Sequence, residues 1–268
     1  MPDIDVALTF YSNKKYLKEC LDSIFAEKIN ALVHVIQDGQ AESITDLLKQ
    51  YDECKIHLYA SEKNIGPYRL RNMACQHFEC DYFAIQDADD INVHNRLSKS
   101  LDACKKYSLD LYGCSIHNFS DSNYNEQDRE NNIILKPVQL QDACVYPNEK
   151  RELMFAHPGM IVRNDYFKAI GGYADYFCAC DVEFQLRCYW AGANIKCTDE
   201  VLVRRRLHGK QLTKDSDTNY ASDLRKTILQ IFKDRSKIYP QHKNNLNYFK
   251  QLGDMKQCIE KYELKKLF

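Results

Sequence analysis

The stretch DYFAIQDADDIN, residues 81–92, shows the unit from which much of the chain is built. Its apolar run YFAI has the length and composition of a buried β-strand. Three carboxylates, Asp87, Asp89 and Asp90, follow that run within four positions. The next segment, HNRLSKSLDACKKY (94–107), carries apolar residues at helical spacing. A strand, an acidic loop and a helix in this order are typical of an α/β protein.

The same alternation extends over the first 116 residues. Apolar runs predict strands at DVALTFY (5–11), ALVHVIQ (31–37), KIHLYA (55–60), YFAIQ (82–86) and DLYGCSI (110–116). Helical spacing predicts helices at 14–27, 42–51, 67–78 and 94–107. Because strands joined by helices of this length form βαβ units, the sequence predicts a mixed, mostly parallel sheet flanked by helices.

The second half of the chain shows a less regular pattern. The polar run 117–132 predicts a long loop. The elements expected after it are a strand at 160–162, a short helix ended by Gly171 and Gly172, a helix at 181–190, and a strand with its exit loop at 200–213. From Tyr220 onward the pattern is helical to the end of the sequence. We therefore expect one α/β domain over residues 1–213 and a helical extension over 214–268.

Composition narrows the classes of function. The 268 residues include 37 Lys and Arg against 38 Asp and Glu, a formal net charge of -1. This balance argues against a nucleic-acid binder that works by bulk charge. There is no apolar run of membrane-span length and no basic segment ahead of an apolar core at the N-terminus. We therefore expect a cytoplasmic protein with at most peripheral contact at the inner face of a membrane.

Twelve cysteines raise the question of disulfides or a zinc site. No two of them stand in the C-x-x-C spacing common to structural zinc sites. We therefore expect reduced thiols that are mostly buried and behave as small hydrophobic side chains.

Four loops are expected to share one edge of the predicted sheet. In an open α/β sheet, ligands bind beyond the carboxyl ends of the strands. The loops that follow the first four strands contain SNKK (12–15), DGQ (38–40), SEKNIG (61–66) and DADD (87–90). Each loop is a weak signal alone, but together they predict one binding site at this edge.

The acidic loop has two interpretations. Asp87 and Asp89 leave the strand two positions apart and can converge on Mg²⁺ or Mn²⁺, which commonly shares its coordination shell with substrate phosphates. Alternatively, Asp89 or Asp90 caps the helix that follows. The neighbouring loops favour the first interpretation, because Asp38 is placed to accept an N–H from a base ring and Arg71 to reach a phosphate or the base.

The helix predicted at 181–190 begins with acidic residues. Asp181 follows an aromatic, glycine-rich run, which suits a single carboxylate acting as a general base. Glu183 and Arg187 are four residues apart, as in a helix ion pair. His208 follows the last predicted strand and is either a metal ligand or a polar exit residue. The basic run Arg204–Arg206 either neutralises a diphosphate or forms a solvated edge.

A set of motifs, taken in order, resembles a known family. The motifs are VALTFYSNKKYLKECLDSI, VIQDG, NIGPYRLRN, QDADD, VRNDYFKAIGGYAD, CDVEFQLRCYWAG and RLHGKQLT. They resemble the inverting, bacterial-type family 2 glycosyltransferases with the GT-A fold, over residues 4–213. The chain departs from the family at Cys180-Asp181, where Glu-Asp is usual, and QLRCYW is not the Q-x-x-R-W motif of processive synthases. The resemblance therefore implies a non-processive enzyme.

The resemblance implies a metal-dependent transfer of a hexosyl or N-acetylhexosaminyl group. The donor implied is a nucleotide-sugar, usually a UDP-sugar, and the acceptor is a hydroxyl of a glycan or lipid-linked glycan. The nucleotide contacts implied by position are Thr9, Tyr11, Asp38, Asn64, Arg71 and Asp87. The ligands implied for Mn²⁺ or Mg²⁺ are Asp89, Asp87 and His208, and Asp181 is the implied catalytic base. The resemblance does not cover 214–268. Three roles stay open for this segment: packing on the catalytic domain, forming a homodimer, or contacting a membrane.

Two alternatives come from other functional classes. A sugar-nucleotide nucleotidyltransferase can use a similar fold and metal, but such enzymes tend to have a glycine-rich loop after the first strand, and FYSNKKYL has no glycine. A non-catalytic carbohydrate-binding protein can keep the same fold after losing its activity. The joint presence of Asp38, Asp87, Asp89 and Asp181 argues against that loss.

Overall fold

Residues 1–39, 42–120, 134–135 and 155–267 are described by a computed structural model, and within them ten β-strands form one mixed sheet. The strands are β1 (Ile4–Phe10), β2 (Ala31–Gln37), β3 (Ile56–Ala60), β4 (Tyr82–Asp87), β5 (Ile91–Asn92), β6 (Leu111–Ser120), β7 (Ile134–Leu135), β8 (Ile161–Arg163), β9 (Ile195–Leu207) and β10 (Lys265–Lys266). The α-helices are α1 (Lys14–Phe25), α2 (Thr45–Leu48), α3 (Pro67–Ala74), α4 (Arg96–Tyr107), α5 (Asn164–Ala169), α6 (Cys180–Trp190), α7 (Asp223–Ser236), α8 (Leu246–Lys250) and α9 (Met255–Lys261). The strand order is β10-β3-β2-β1-β4-β8-β6-β9-β5, and β7 pairs with β6.

The long pairings of the sheet are parallel and the short ones are antiparallel. Strand β1 runs parallel to β2 and β4, β2 to β3, and β6 to β9. Helices α1 and α4 contribute to an apolar cluster on one side of the sheet, and α3, α5 and α6 contribute to another. The predicted α/β fold, a mostly parallel sheet flanked by helices, is therefore confirmed.

The register of the sheet brings the predicted loops together. Thr9 of β1 pairs with Asp87 of β4, and Gln37 of β2 pairs with both Phe10 and Ala60. The carboxyl ends of β4, β1, β2 and β3 therefore lie side by side. The expectation that the loops after these strands share one edge is confirmed.

Three predicted elements differ in length from those observed. Strand β6 continues to Ser120 instead of ending at 116, because residues 117–120 pair with Arg204 to Leu207 of β9. Strand β9 begins at Ile195 rather than at 200, and α2 covers only the middle of the predicted helix 42–51. Although polar residues such as those at 117–120 favour a loop, their backbone pairing with β9 keeps them in the strand. The rest of the predicted loop, residues 121–132, lies outside the described residues.

The C-terminal helices pack on the α/β part of the chain. The buried side chains of Ile228, Phe232, Tyr239 and Phe249 belong to the same apolar cluster as α3, α5 and α6. The prediction that the chain is helical to its end is wrong for β10, which pairs antiparallel with β3. Strand β10 thereby covers the end of the otherwise open edge of β3, at Tyr59 and Ala60.

Two properties expected from composition can be compared with the described residues. The eleven cysteines among them carry free thiols, and eight of these are buried, as expected for small hydrophobic side chains. No helix in the described ranges is long and apolar enough to cross a membrane.

Candidate active site

The end of β4 is tied to helix α3 by a buried arginine. Arg71 is 1% exposed, and its Nη2 donates to Asp87 Oδ1 at 2.7 Å and to Thr9 Oγ1 at 2.8 Å. It also donates to the backbone oxygen of Gln86 at 3.1 Å. Burial raises the pKa of Asp87, but the charge and hydrogen bond of Arg71, together with His157 and Arg205, outweigh it and leave that pKa below its usual value. Three predicted nucleotide contacts therefore lie together, with Arg71 holding an ionised Asp87.

The carboxylate after β2 holds the neighbouring loop. Asp38 is buried and accepts backbone N–H groups from Ile65 at 2.7 Å and Gly66 at 3.0 Å, one on each oxygen. Gly66 has a φ of 89°, a conformation that a residue with a Cβ rarely adopts. Burial raises the pKa of Asp38 to about 6 despite these two bonds. In the same region, Asn64 is exposed and the ring of Tyr11 is 52% exposed.

His208 and Asp89 meet although 119 residues separate them in the sequence. His208 Nε2 lies 2.9 Å from Asp89 Oδ2, and both side chains are partly exposed. The backbone N–H of Lys210 donates to His208 Nδ1 at 3.2 Å. Because Nδ1 accepts this bond, a neutral His208 ring carries its proton on Nε2 and donates it to Asp89.

This pair is chemically suited to a divalent cation. A carboxylate oxygen and an imidazole nitrogen are ligands that Mn²⁺ accepts, and Mg²⁺ and Mn²⁺ commonly complete their shell with phosphate oxygens and water. The other predicted ligand, Asp87, is bound to Arg71 instead. Across the described ranges, no three His, Cys, Asp or Glu side chains are grouped so that they could hold a metal ion. The protein residues that fit the cation are therefore Asp89 and His208.

Asp90 does not cap the following helix, as one interpretation of the acidic loop proposed. Strand β5 lies between this residue and α4, whose N-cap is Asn95. Asp90 is 1% exposed, and its Oδ1 accepts the backbone N–H of Arg206 at 3.0 Å. Burial, with Asp89 and Asp87 nearby, raises the pKa of Asp90 well above its usual value.

The basic run Arg204–Arg206 lies at the end of strand β9 and is partly buried. Arg206 is 2% exposed, forms an ion pair with Glu19 of α1, and donates from Nε to the backbone oxygen of Asp89 at 3.2 Å. Its guanidinium lies 4.2 Å from the ring of Tyr16, which also contacts the ring of His208. Helix α1 thus supports both residues of the candidate cation site, a role that the sequence did not reveal.

Asp181 lies in the first turn of α6, as predicted, and has a partner that the sequence did not reveal. The hydroxyl of Tyr68 donates to Asp181 Oδ1 at 2.9 Å. Burial and the adjacent carboxylate raise the pKa of Tyr68 well above its usual value, so the hydroxyl stays protonated. Tyr68 and Arg71 are three residues apart on α3 and therefore share a face. That spacing is the sequence signal that links Tyr68 to the site.

A second aromatic contact supports Tyr68. His157 Nε2 lies 2.8 Å from the hydroxyl of Tyr173, and the His157 ring packs against the ring of Tyr68 with centroids 5.5 Å apart. Burial lowers the pKa of His157 to about 4, so its ring is neutral. These aromatic rings fix the position of the Tyr68 hydroxyl.

Glu183 and Arg187 form the ion pair expected from their spacing. Arg187 Nε and Nη2 donate to the two oxygens of Glu183 at 2.8 and 3.0 Å, and both side chains are buried. Arg187 also donates to the backbone oxygens of Ile170 and Gly172. The pair therefore joins α6 to the turn after α5.

Comparisons with known proteins agree with this geometry. The family model described as glycosyl transferase family 2 matches residues 5–171. An uncharacterized glycosyltransferase of Methanocaldococcus jannaschii is 25% identical over 239 residues, which is 86% of this chain and 77% of that protein. The glycosyltransferase GlyA of Streptococcus pneumoniae is 25% identical over 121 residues, 44% of this chain and 17% of that protein.

Solved structures show the same fold. S. aureus TarS in complex with UDP-GlcNAc gives a TM-score of 0.64 at 16% identity, covering 94% of this chain and 74% of that one. The complex of TarS with UDP gives a TM-score of 0.59 at 17% identity, covering 90% and 71%. The fold is therefore that of the GT-A glycosyltransferases. Because the family model spans more than half of its length, the chain belongs to glycosyl transferase family 2 and is a glycosyltransferase.

Proposed function

We propose that this glycosyltransferase moves a sugar from a UDP-sugar to a hydroxyl of a glycan or glycoconjugate acceptor, with inversion and with a divalent cation. The observation that carries the proposal is the meeting of three groups at one edge of the sheet. These groups are the Arg71–Asp87 pair, the Asp89–His208 pair and the Tyr68–Asp181 pair. The UDP and UDP-GlcNAc complexes of TarS support UDP as the nucleotide.

The nucleotide is assigned to the loops after β1, β2 and β3. The exposed ring of Tyr11 is suited to stacking on the base, and Asp38 has free lone pairs for a base N–H. Asp87, held by Arg71, is assigned to the ribose or to the cation. Thr9 and Asn64 complete the set of contacts proposed for the nucleotide.

The cation, Mn²⁺ or Mg²⁺, is assigned to Asp89 and His208, with Asp87 nearby. When bound, it stabilises negative charge on the departing diphosphate. For His208 Nε2 to act as a ligand, its proton must move to Nδ1, which breaks the bond from the Lys210 N–H. If the ring is neutral, the Lys210 N–H thus favours the tautomer in which Nε2 carries the proton, and His208 would have to leave that tautomer to hold the cation.

The chemical step is assigned to Asp181. Its Oδ1 accepts the Tyr68 hydroxyl, so Oδ2 is left to take the proton from the acceptor hydroxyl. The acceptor oxygen forms its bond to the anomeric carbon as the bond from that carbon to the diphosphate oxygen breaks. Attack from the face opposite the leaving group inverts the configuration at that carbon.

The proposal is tested by measuring UDP release from a panel of UDP-sugars, with Mn²⁺ and with EDTA. Asp181→Asn should lower kcat by about 10²- to 10⁴-fold, because it removes the general base, while the affinity for UDP stays unchanged. Asp46→Asn is the control, because Asp46 is fully exposed on α2. Wild-type transfer by Asp181→Asn would refute the assignment of the base, and full activity in EDTA would refute the cation.

A further inference from the structure

Helix α7 carries an arginine on its buried face. Arg225 lies in the first turn and is 7% exposed. It shares this face with Ile228 and Phe232, which follow it by three and seven residues. Phe232 packs edge-on against Tyr176, with ring centroids 5.2 Å apart. The buried face of α7 therefore lies against the segment that leads into Asp181.

The charge of Arg225 has no carboxylate partner in the part of the chain that the structure describes. Its Nε donates to the backbone oxygen of Thr218 at 2.6 Å, and its guanidinium carbon lies 5.2 Å from the ring centroid of Tyr220. Nη1 and Nη2 bond to none of the described residues, and neither atom is sealed in the interior. The end of the guanidinium is thus accessible although the residue is buried.

The other four buried arginines differ from Arg225. Arg71, Arg187 and Arg206 each pair with a carboxylate. Arg96 donates to three oxygen acceptors. Among these five buried arginines, Arg225 differs in that its guanidinium makes a single hydrogen bond with the described residues, and a buried charge is costly unless it is paired.

Arg225 stands on the helix face that contacts the segment leading into Asp181, and its charge acts on two residues of that neighbourhood. Burial raises the pKa of the Tyr68 hydroxyl and of the Cys178 thiol, and the positive charge of Arg225 opposes both rises. Tyr68 is the residue that donates to Asp181, and Cys178 precedes Asp181 by three positions. The contact of α7 with Tyr176 places Arg225 on the same side.

We propose that Arg225 binds an anionic group, a phosphate or a carboxylate, that the acceptor carries near its reacting hydroxyl. This inference rests on the proposed function, because it takes Asp181 as the base that faces the acceptor. The planar guanidinium fork bonds both kinds of anion through two parallel N–H groups. The positive charge also offsets the repulsion between an anionic acceptor and the Asp181 carboxylate.

The test compares acceptors that share one sugar and differ in one group. A neutral glycoside, its phosphate ester and the matching uronic acid are offered with the preferred donor. The full-length wild type should favour one of the anionic acceptors by about 10- to 100-fold in kcat/KM. Arg225→Gln should lose that preference and keep the KM for the donor, whereas Arg225→Lys should retain part of it. Lys226→Gln, which removes an exposed charge one residue away, should retain all of it.

A second measurement does not depend on turnover. With UDP already bound, inorganic phosphate should show ³¹P line broadening with the wild type and Lys226→Gln, and much less with Arg225→Gln. Equal use of neutral and anionic acceptors by the wild type, or an unchanged preference in Arg225→Gln, would overturn the inference but leave the proposed function standing. If no sugar is transferred from any donor, the proposed function fails. If phosphate binds equally well without Arg225, the inference is overturned whatever the outcome for the proposed function.

Discussion

Tyr68 is the residue through which helix α3 reaches Asp181. Its hydroxyl donates to one carboxylate oxygen and leaves the other for the proposed acceptor. We expect Tyr68→Phe to lower kcat by about 10- to 100-fold, because a hydrogen bond to a charged group is lost while the ring remains. The KM for the donor should not change, since Tyr68 is proposed to contact neither the nucleotide nor the cation.

Steady-state kinetics with varied donor and acceptor would separate these effects. Tyr166→Phe is the matched control, because Tyr166 is also buried and, among the described residues, its hydroxyl bonds only to the backbone oxygen of Cys188, at 3.5 Å. A Tyr68→Phe enzyme with the kcat of the control would show that Asp181 needs no support from this hydroxyl.

His208 allows the cation site to be tested apart from the reaction. We expect His208→Ala to weaken Mn²⁺ binding in the presence of UDP by at least about 10- to 100-fold, the loss typical even for residues that only support a ligand. Titration calorimetry with and without Mn²⁺ measures this directly. His94→Asn, a change at an exposed histidine five residues after Asp89, should bind as the wild type. Equal Mn²⁺ affinity in the two variants would remove His208 from the site.

The sequence pointed to some residues of the candidate site and missed others for a physical reason. Asp181 and Asp89 were predicted because each sits in a motif at the end of a strand or the start of a helix. Tyr68 was missed because its role comes from a contact across 113 residues. Glu19 was missed for the same reason, since it meets Arg206 across 187 residues. Local pattern places a side chain at an edge of the fold but does not identify its partner.

Helix α6 is anchored by the buried pair of Glu183 and Arg187. We expect Glu183→Gln to destabilise the protein by about 3–5 kcal/mol, because the change leaves the Arg187 charge buried without its partner. Thermal or urea unfolding measures this loss. Glu260→Gln is the matched control, since Glu260 forms an exposed i,i+4 pair with Lys256 and should change stability by less than about 1 kcal/mol. Similar shifts in both variants would contradict a structural role for the buried pair.

The elements themselves were predictable to different degrees. Strand β2 was predicted with its observed ends, because ALVHVIQ is a mostly apolar run with polar segments on both sides. The extension of β6 to Ser120 was not predictable, since its polar residues join the sheet only through pairing with β9. The strand β10 was missed because it exists only where β3 offers an edge. Elements that depend on a distant partner leave little trace in local sequence.

Over the whole molecule, the α/β part and the C-terminal helices share one apolar cluster. Asn72 of α3 bonds to the backbone of Tyr173 in both directions and also to Cys258 of α9. We therefore propose that residues 1–213 and 214–268, although distinct in sequence pattern, fold as one unit. The apolar face of the C-terminal helices is buried against the α/β part of the chain.

This proposal predicts a single unfolding transition. Trp190, the only tryptophan, lies where α6 meets the C-terminal segment, and its backbone oxygen accepts the N–H of Asn244 at 2.8 Å. Its fluorescence and the far-UV circular dichroism should change together in urea, as expected for a cooperative two-state unit. A chain truncated after residue 213 should not fold, because it would expose the apolar cluster. Two separate transitions, or a folded truncated chain, would contradict one unit.

The two outermost strands of the sheet have a consequence for association between molecules. Both β10 and β5 are only two residues long, and β10 consists of Lys265 and Lys266. A long, flat edge strand acts as a template on which another chain adds its own strand, whereas short and charged edges resist such growth. At β10 and β5 themselves the edge is too short to act as such a template, so we expect no polymers that grow through these two strands.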